Sequence, residues 1–197
     1  MSQIFQEIMT DRLIIRPLTI FDATIYHEAE LASAKDMAPY WSWVNPNKPL
    51  TDIEAFLREA ESCHQKNTPP AMYFAVIARE DQAFLGCIWY AATNWFVPRF
   101  EIGYWQDSRR GGQGYMTEAV NALTRGSFIL YDAKRVEVKV FVTNQKSRAI
   151  PERLGFKSEA ILENYFIEFV THEILDGAIY ACTHINDLPP MKMEIIK

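Results

Sequence analysis

Hydrophobic and polar positions change their spacing several times along this chain of 197 residues, and each change marks an element. Arg12-Leu13-Ile14-Ile15-Arg16 reads as a strand that ends at Pro17, because proline has no amide to give to a central ladder. Thr19 and Asp22 then offer a cap, and Tyr26, Ala29 and Leu31 return at helical spacing. A second helix is expected over residues 52–64, with Ile53, Phe56, Leu57 and Ala60 on one face, until Asn67-Thr68-Pro69-Pro70 stops it. The pattern changes to strands over 73–78, 84–90 and 100–105, a meander. From Met116 the apolar set Ala119, Val120, Leu123 and Leu130, with Ser127, predicts a long amphipathic helix. Val136, Val138, Val140 and Val142 then alternate with Arg135, Glu137, Lys139 and Phe141, a clear strand signal. Residues 144–154 read as helix, and two further strands are expected around 160–162 and 178–182. The tail, 185–197, carries Pro189-Pro190 and is expected to fray. A mixed sheet with helices on both faces is the natural way to bury these surfaces.

Length suits a single domain over 1–197, and an apolar fraction of 49% supplies a core and argues against disorder. A formal charge of −5 argues against a nucleic-acid partner, whose phosphates call for a basic face. Cys63, Cys87 and Cys182 lie far apart with no histidine at ligand spacing, so neither a metal site nor a disulfide framework is expected. No apolar run reaches the roughly 18 residues of a membrane span. The chain reads as soluble and cytoplasmic, with no membrane partner.

Candidate chemistry concentrates in Arg109-Arg110-Gly111-Gly112-Gln113-Gly114-Tyr115, between a strand and the long helix. Glycines expose backbone amides for close approach, and a helix N-terminus carries unpaired donors and partial positive charge, so an anion suits this loop. A P-loop would need Lys and Ser/Thr where Tyr115 and Met116 stand, and a dinucleotide fingerprint would need glycine at Thr117. Both readings fail on the letters. A solvated glycine turn is the bland alternative.

The element order resembles the GNAT acetyltransferase superfamily, and within it the ribosomal-protein N-acetyltransferase branch. Four segments carry the resemblance in order: Thr10-Asp11-Arg12-Leu13-Ile14-Ile15-Arg16-Pro17-Leu18, Glu101-Ile102-Gly103-Tyr104-Trp105, Gly111-Gly112-Gln113-Gly114-Tyr115-Met116-Thr117-Glu118-Ala119, and Asn144-Gln145-Lys146-Ser147-Arg148-Ala149-Ile150-Pro151-Glu152-Arg153-Leu154-Gly155-Phe156. The resemblance implies an α/β (α+β) fold with a mostly antiparallel sheet of about seven strands. It implies transfer of an acetyl group from acetyl-coenzyme A to a primary amine, without a metal. The glycine loop, Arg109 to Met116, would hold the pyrophosphate; Trp105 and Gln106 would bond the pantetheine arm through their backbone; Asn144, Ser147 and Arg148 would complete the cofactor side. In the register of this branch Gly111 occupies the place of a Gln or Arg, while Arg109 satisfies the spacing in a shifted one.

The amine must lose a proton, and the departing thiolate gains from a donor while a backbone amide steadies the oxyanion. Many relatives place a donor tyrosine where this chain has Pro151, so Ser147, one turn earlier, is the candidate donor. Pro151 also leaves the carbonyl of residue 147 without its helical partner. Glu101 is the candidate base, acting through water, with a structural ion pair as the competing reading. Glu163 and Glu168 receive no role, nor do His27, His64, His172 and His184. Trp41 and Trp43 either fold under as a satellite core or wall an acceptor pocket. The acceptor suggested by the branch is a protein N-terminal α-amine; a small amine such as a polyamine, or a sensor that binds acyl-coenzyme A without turnover, are the alternatives. A homodimer is left open.

Overall fold

Alternation along the strands sorts side chains onto two faces of one sheet, and each face is covered by its own pair of helices. The structure, a computed structural model, describes residues 5–196. Its elements are β1 (Glu7–Thr10), β2 (Leu13–Pro17), α1 (Ala23–Met37), α2 (Leu50–His64), β3 (Met72–Ala78), β4 (Phe84–Asn94), β5 (Arg99–Gln106), α3 (Tyr115–Tyr131), β6 (Arg135–Phe141), α4 (Gln145–Arg153), β7 (Lys157–Ile167), β8 (Ile174–Cys182) and β9 (Met193–Ile196). The sheet runs β7-β8-β6-β5-β4-β3-β2-β1-β9. One core gathers Ile88, Tyr90, Phe100, Ile102, Val136 and Val138 against Ala119, Val120 and Leu123 of α3 and Ile150 of α4. The other gathers Ala75, Ile77, Cys87, Trp89 and Trp105 against Tyr26 and Ala29 of α1 and Ile53 and Leu57 of α2.

The sheet has nine strands rather than about seven. The added strands are β1 and β9, each of four residues, which are too short to display a period. They pair with each other from Glu7↔Ile196 to Thr10↔Met193, so the expectation of a frayed tail is corrected for Met193–Ile196. Backbone pairing holds what composition alone left loose. Helix α1 also runs past Leu31 to Met37, because Ser33, Ala34 and Met37 face inward.

All the strand pairs are antiparallel except β5 with β6, whose register covers only Arg99↔Arg135, Phe100↔Val136 and Glu101↔Glu137. Beyond Glu101 the edge of β5 that faces β6 pairs with no strand among the described residues, which leaves a gap in the middle of the sheet. Gly103 sits at this gap. A Cβ there would lie 2.5 Å from the Trp89 ring, so glycine lets that indole rest across β5. Among the described residues no helix is long and apolar enough to cross a membrane, and the three cysteines are buried free thiols.

Candidate active site

The glycine loop leaves β5 through a turn fixed to α1. The Ser33 hydroxyl accepts the Ser108 amide at 2.9 Å, and the Ser108 hydroxyl donates to Asp36 at 2.6 Å. Asp107, 2% exposed, accepts the Arg109 amide at 2.9 Å and its guanidinium at 2.6 Å. Burial works to raise the Asp107 carboxyl, but the Arg109 hydrogen bonds carry it below the usual carboxylate range. Arg109 is thereby committed to holding the turn. Among the described residues the Arg110 guanidinium pairs with the exposed Asp81 alone, at 3.2 Å, an exposed pair worth little, so it is free to move to another anion.

Gly112 and Gly114 have φ of +82° and +77°, the left-handed region that disfavours side chains, whereas Gly111 has φ −68°. The amides of Gly111, Gly112, Gln113 and Gly114 have no hydrogen-bond acceptor among the described residues. Tyr115 and Met116 open α3, where first-turn amides lack helical partners. The Met116 side chain is buried in the core, so only its backbone faces the loop.

The opening segment of the chain grips this loop. The Thr10 hydroxyl donates to Glu118 in the first turn of α3 at 2.6 Å, and Arg12 Nε donates to the same carboxylate at 2.6 Å. Arg12 also gives Nη1 to the Gln113 carbonyl at 3.0 Å and lies over the Tyr115 ring at 4.8 Å. Nothing in the spacing of the loop itself pointed to Arg12.

At the gap, α4 begins with Asn144 capping Ser147, whose amide donates to the Asn144 side chain at 3.1 Å. Pro151 supplies no amide to the Ser147 carbonyl, and Tyr104 of β5 fills the place: its hydroxyl donates to that carbonyl at 2.9 Å. The Ser147 hydroxyl in turn donates to Tyr104 Oη at 3.1 Å. Burial pushes the Tyr104 phenol well up, against the Ser147 hydrogen bond, so it stays protonated. Tyr104 lies on the same face of β5 as Phe100 and Ile102, packed against the α3/α4 core, and the motif alone assigns it no role.

Glu101 lies on the other face of β5, paired with Lys139 of β6 at 2.6 Å. Burial works against the Lys139 ammonium, but Glu101 holds it above its ordinary value. Arg148 is turned inward: it donates to Tyr180 Oη at 3.0 Å and to the Val142 carbonyl at 3.0 Å. Gln106 donates its side-chain amide to the Arg110 carbonyl at 2.7 Å. The Trp105 ring points away from the gap into the α1/α2 core.

Trp41 and Trp43 are half-buried, 6.0 Å apart, and line a cavity of about 480 Å³ together with Trp89, Trp105, Tyr73 and Glu30. The β7–β8 turn closes over the same loop, with the Phe169 amide on the Pro39 carbonyl at 3.0 Å. Glu168 is spent on that turn, accepting the Thr171 hydroxyl at 2.6 Å. Among the described residues no group of His, Cys, Asp or Glu could hold a metal ion.

Residues 12–157 match the family profile of the acetyltransferase (GNAT) domain. The chain belongs to the GNAT acetyltransferase family. An uncharacterized N-acetyltransferase p20 of Bacillus licheniformis is 25% identical over 81% of this chain and 87% of its own length. The ribosomal-protein-serine acetyltransferase of Escherichia coli (strain K12) is 30% identical over 54% of this chain and 58% of its own. In three dimensions the ribosomal L7/L12 alpha-N-protein acetyltransferase RimL, in complex with coenzyme A, superposes with a TM-score of 0.81 at 20% identity, covering 89% of this chain and 96% of that one.

Within this GNAT chain three side chains that motif reading left unassigned contact the candidate residues: Tyr104 bonds the Ser147 carbonyl, Lys139 pairs with Glu101, and Arg12 bonds the Gln113 carbonyl. Each partner comes from a distant part of the sequence. The Pro151 letter announced a freed carbonyl without saying what would meet it.

Proposed function

We propose that this GNAT protein is an acetyl-coenzyme A dependent N-acetyltransferase whose acceptor is a primary amine, an α-amine at a protein N-terminus. The observation that carries the reading is the meeting, along β5, of a loop of unbonded amides and a hydroxyl pair at the gap. The amides of residues 111–116 suit a pyrophosphate, with Arg110 adding charge as Asp107 keeps Arg109 on the turn. The unpaired edge at Trp105 and Gln106 suits an extended arm carrying amides, in the manner of an added strand. Asn144 and Arg148 shape the start of α4 beside it.

Coenzyme A, when bound, supplies the acetyl thioester. Ser147 is the proton donor to the departing thiolate once its O–H turns from Tyr104 Oη, and it takes a proton back from solvent; Tyr104 positions Ser147 through the serine's hydroxyl and backbone. Glu101 takes the amine's proton through water, sharing its carboxylate with Lys139. An α-amine of pKa near 8 is neutral in roughly one molecule in ten at pH 7, a lysine amine in on the order of one in two thousand. A carboxylate already shared with an ammonium favours the former.

The ribosomal-protein-serine acetyltransferase among the relatives and the alpha-N-protein acetyltransferase among the similar structures support a protein N-terminus as acceptor. The cavity under Trp41 and Trp43 is the observation that keeps a small amine as the second reading. Calorimetry should find acetyl-coenzyme A bound at micromolar strength, about −8 kcal/mol. Release of coenzyme A thiol should then follow addition of peptides with free N-termini. Binding without release from any amine would replace the enzyme reading with a sensor.

A further inference from the structure

The loop between α1 and α2, residues 38–49, roofs the sheet beside the gap. Tyr40 packs on Phe141 of β6 at 5.2 Å, and the next residue, Trp41, packs on Trp89 of β4 at 5.3 Å. Strand β5 runs between those two strands, so the loop crosses above it, on the face that carries Glu101 and Lys139. The Trp89 ring lies over Gly103, which stands one pleat from Glu101 on that face, about 7 Å along the strand. The cavity of about 480 Å³ thus lies on the same face of β5 as the candidate base, toward β4.

Its walls are rings: Trp41, Trp43, Trp89, Tyr73 and Phe56. Tyr73 and Trp89 stack at 6.4 Å, and Phe56 meets Tyr73 edge-on at 5.1 Å, so packing among the rings fixes where the walls stand. The charges at the cavity are already engaged. Lys48 pairs with the buried Glu30, and its ammonium lies 4.9 Å over the Trp43 ring; Asp52 is exposed at the start of α2 and keeps its charge in water. A second cation inside, such as the far amine of a diamine, would meet Lys48, whereas a neutral ring gains contact with every wall. Protein cores leave few voids larger than a water molecule, so a space of this size, inside the roughly 300–1,000 Å³ of small-molecule sites, is no packing defect.

Resting on the N-acetyltransferase reading above, we propose that this cavity selects the first residue of the acceptor by its side chain. With the α-amine at Glu101, that side chain lies beneath Trp41 and Trp43, and a large apolar ring, as in phenylalanine, is preferred over the small side chains of serine or alanine. The ring of such a residue hangs one methylene from the carbon that bears the amine, a short span like the single pleat from Glu101 to Gly103. Trp89 and Trp41 are then specificity-determining residues. Gly103 is a third, because any Cβ there would drive the Trp89 indole off β5.

The test compares peptides identical after the first residue, beginning with Phe, Leu, Ser or Ala, by release of coenzyme A thiol. Phe should exceed Ser and Ala in kcat/KM by about tenfold or more, with Leu between, since burying a large apolar side chain supplies at least that factor. Trp41→Ala takes away a wall, and Ile53→Phe fills the space from the α2 side; each should bring the Phe/Ala ratio to within about threefold. Calorimetry of phenylalaninamide against alaninamide on the coenzyme A-saturated protein gives the same comparison without turnover. A Phe/Ala ratio below about threefold in the wild type, with all four peptides acetylated, would overturn the proposal and leave the acetyltransferase intact. Tighter binding of phenylalaninamide, lost in Ile53→Phe, with no peptide acetylated would sustain the cavity and remove the acetyltransferase.

Discussion

Removing the Tyr104 hydroxyl strands a carbonyl that the helix itself cannot rescue, which makes Tyr104→Phe a sharp perturbation. In most helices the carbonyl of residue 147 would receive the amide of residue 151, but Pro151 has none, and Tyr104 donates at 2.9 Å instead. An unfilled buried acceptor costs about 1–3 kcal/mol. Tyr104 and Ser147 are only half-buried, so the lower half of that range, about 1–1.5 kcal/mol, is expected. Pro151→Ala returns an amide at the right place. In the Pro151→Ala background Tyr104→Phe should therefore cost about 1 kcal/mol less. Urea unfolding of the wild type, both single variants and the double variant closes the cycle, and the pyrrolidine packing lost at position 151 cancels between its sides. The same four proteins divide structure from positioning: the double variant should recover stability while kcat stays low, because Ser147 Oγ still lacks Tyr104 Oη. A coupling below about 0.5 kcal/mol would refute the link between the proline and the strand tyrosine.

Three further outcomes are expected. Arg110→Ala should weaken acetyl-coenzyme A binding about tenfold by calorimetry with an unchanged melting temperature, while Arg109→Ala, which leaves the buried Asp107 unpaired, should lower the melting temperature first. Gly112→Ala forces a side chain into the left-handed region and should cost about 1–2 kcal/mol in chemical denaturation, whereas Gly111→Ala, at φ −68°, should stay within about 0.5 kcal/mol. His64 is held below its ordinary pKa by burial, against the Tyr73 backbone hydrogen bond; the unfolded chain then takes up a proton near pH 6.5 that the fold does not. Stability should fall as the pH drops below about 6.5, by at most about 1.4 kcal/mol per unit from this group, and His64→Gln should flatten that limb of a pH series of unfolding curves.

Much of the architecture was legible because spacing is strict where burial is one-sided. The valine alternation placed β6, and the recurrence from Met116 placed α3, to within two residues of where each lies. Strands β1 and β9 escaped because four residues carry no readable period, and their stability comes from pairing with each other. The glycine loop was legible for a chemical reason, bare amides before a helix. Its anchors were not, since Ser33 and Arg12 reach it from 75 and 101 positions away. Glu101 was read as either base or half of an ion pair, and its partner Lys139 depends on a parallel register that spacing does not fix. Trp41 and Trp43 were ambiguous between core and pocket wall because aromatic residues serve both; only the backbone path of residues 38–49 leaves the space between them.

The clustering of indoles has an optical consequence. Of the five tryptophans, Trp41, Trp43, Trp89 and Trp105 line the cavity, while Trp95 packs on Phe100 and Tyr131 across the sheet. Most of the protein's indoles therefore surround one cavity, and its intrinsic emission should report chiefly on that space. A Trp95→Phe variant would emit from that cavity alone, an unlabelled lamp whose colour and brightness follow what enters beside β5.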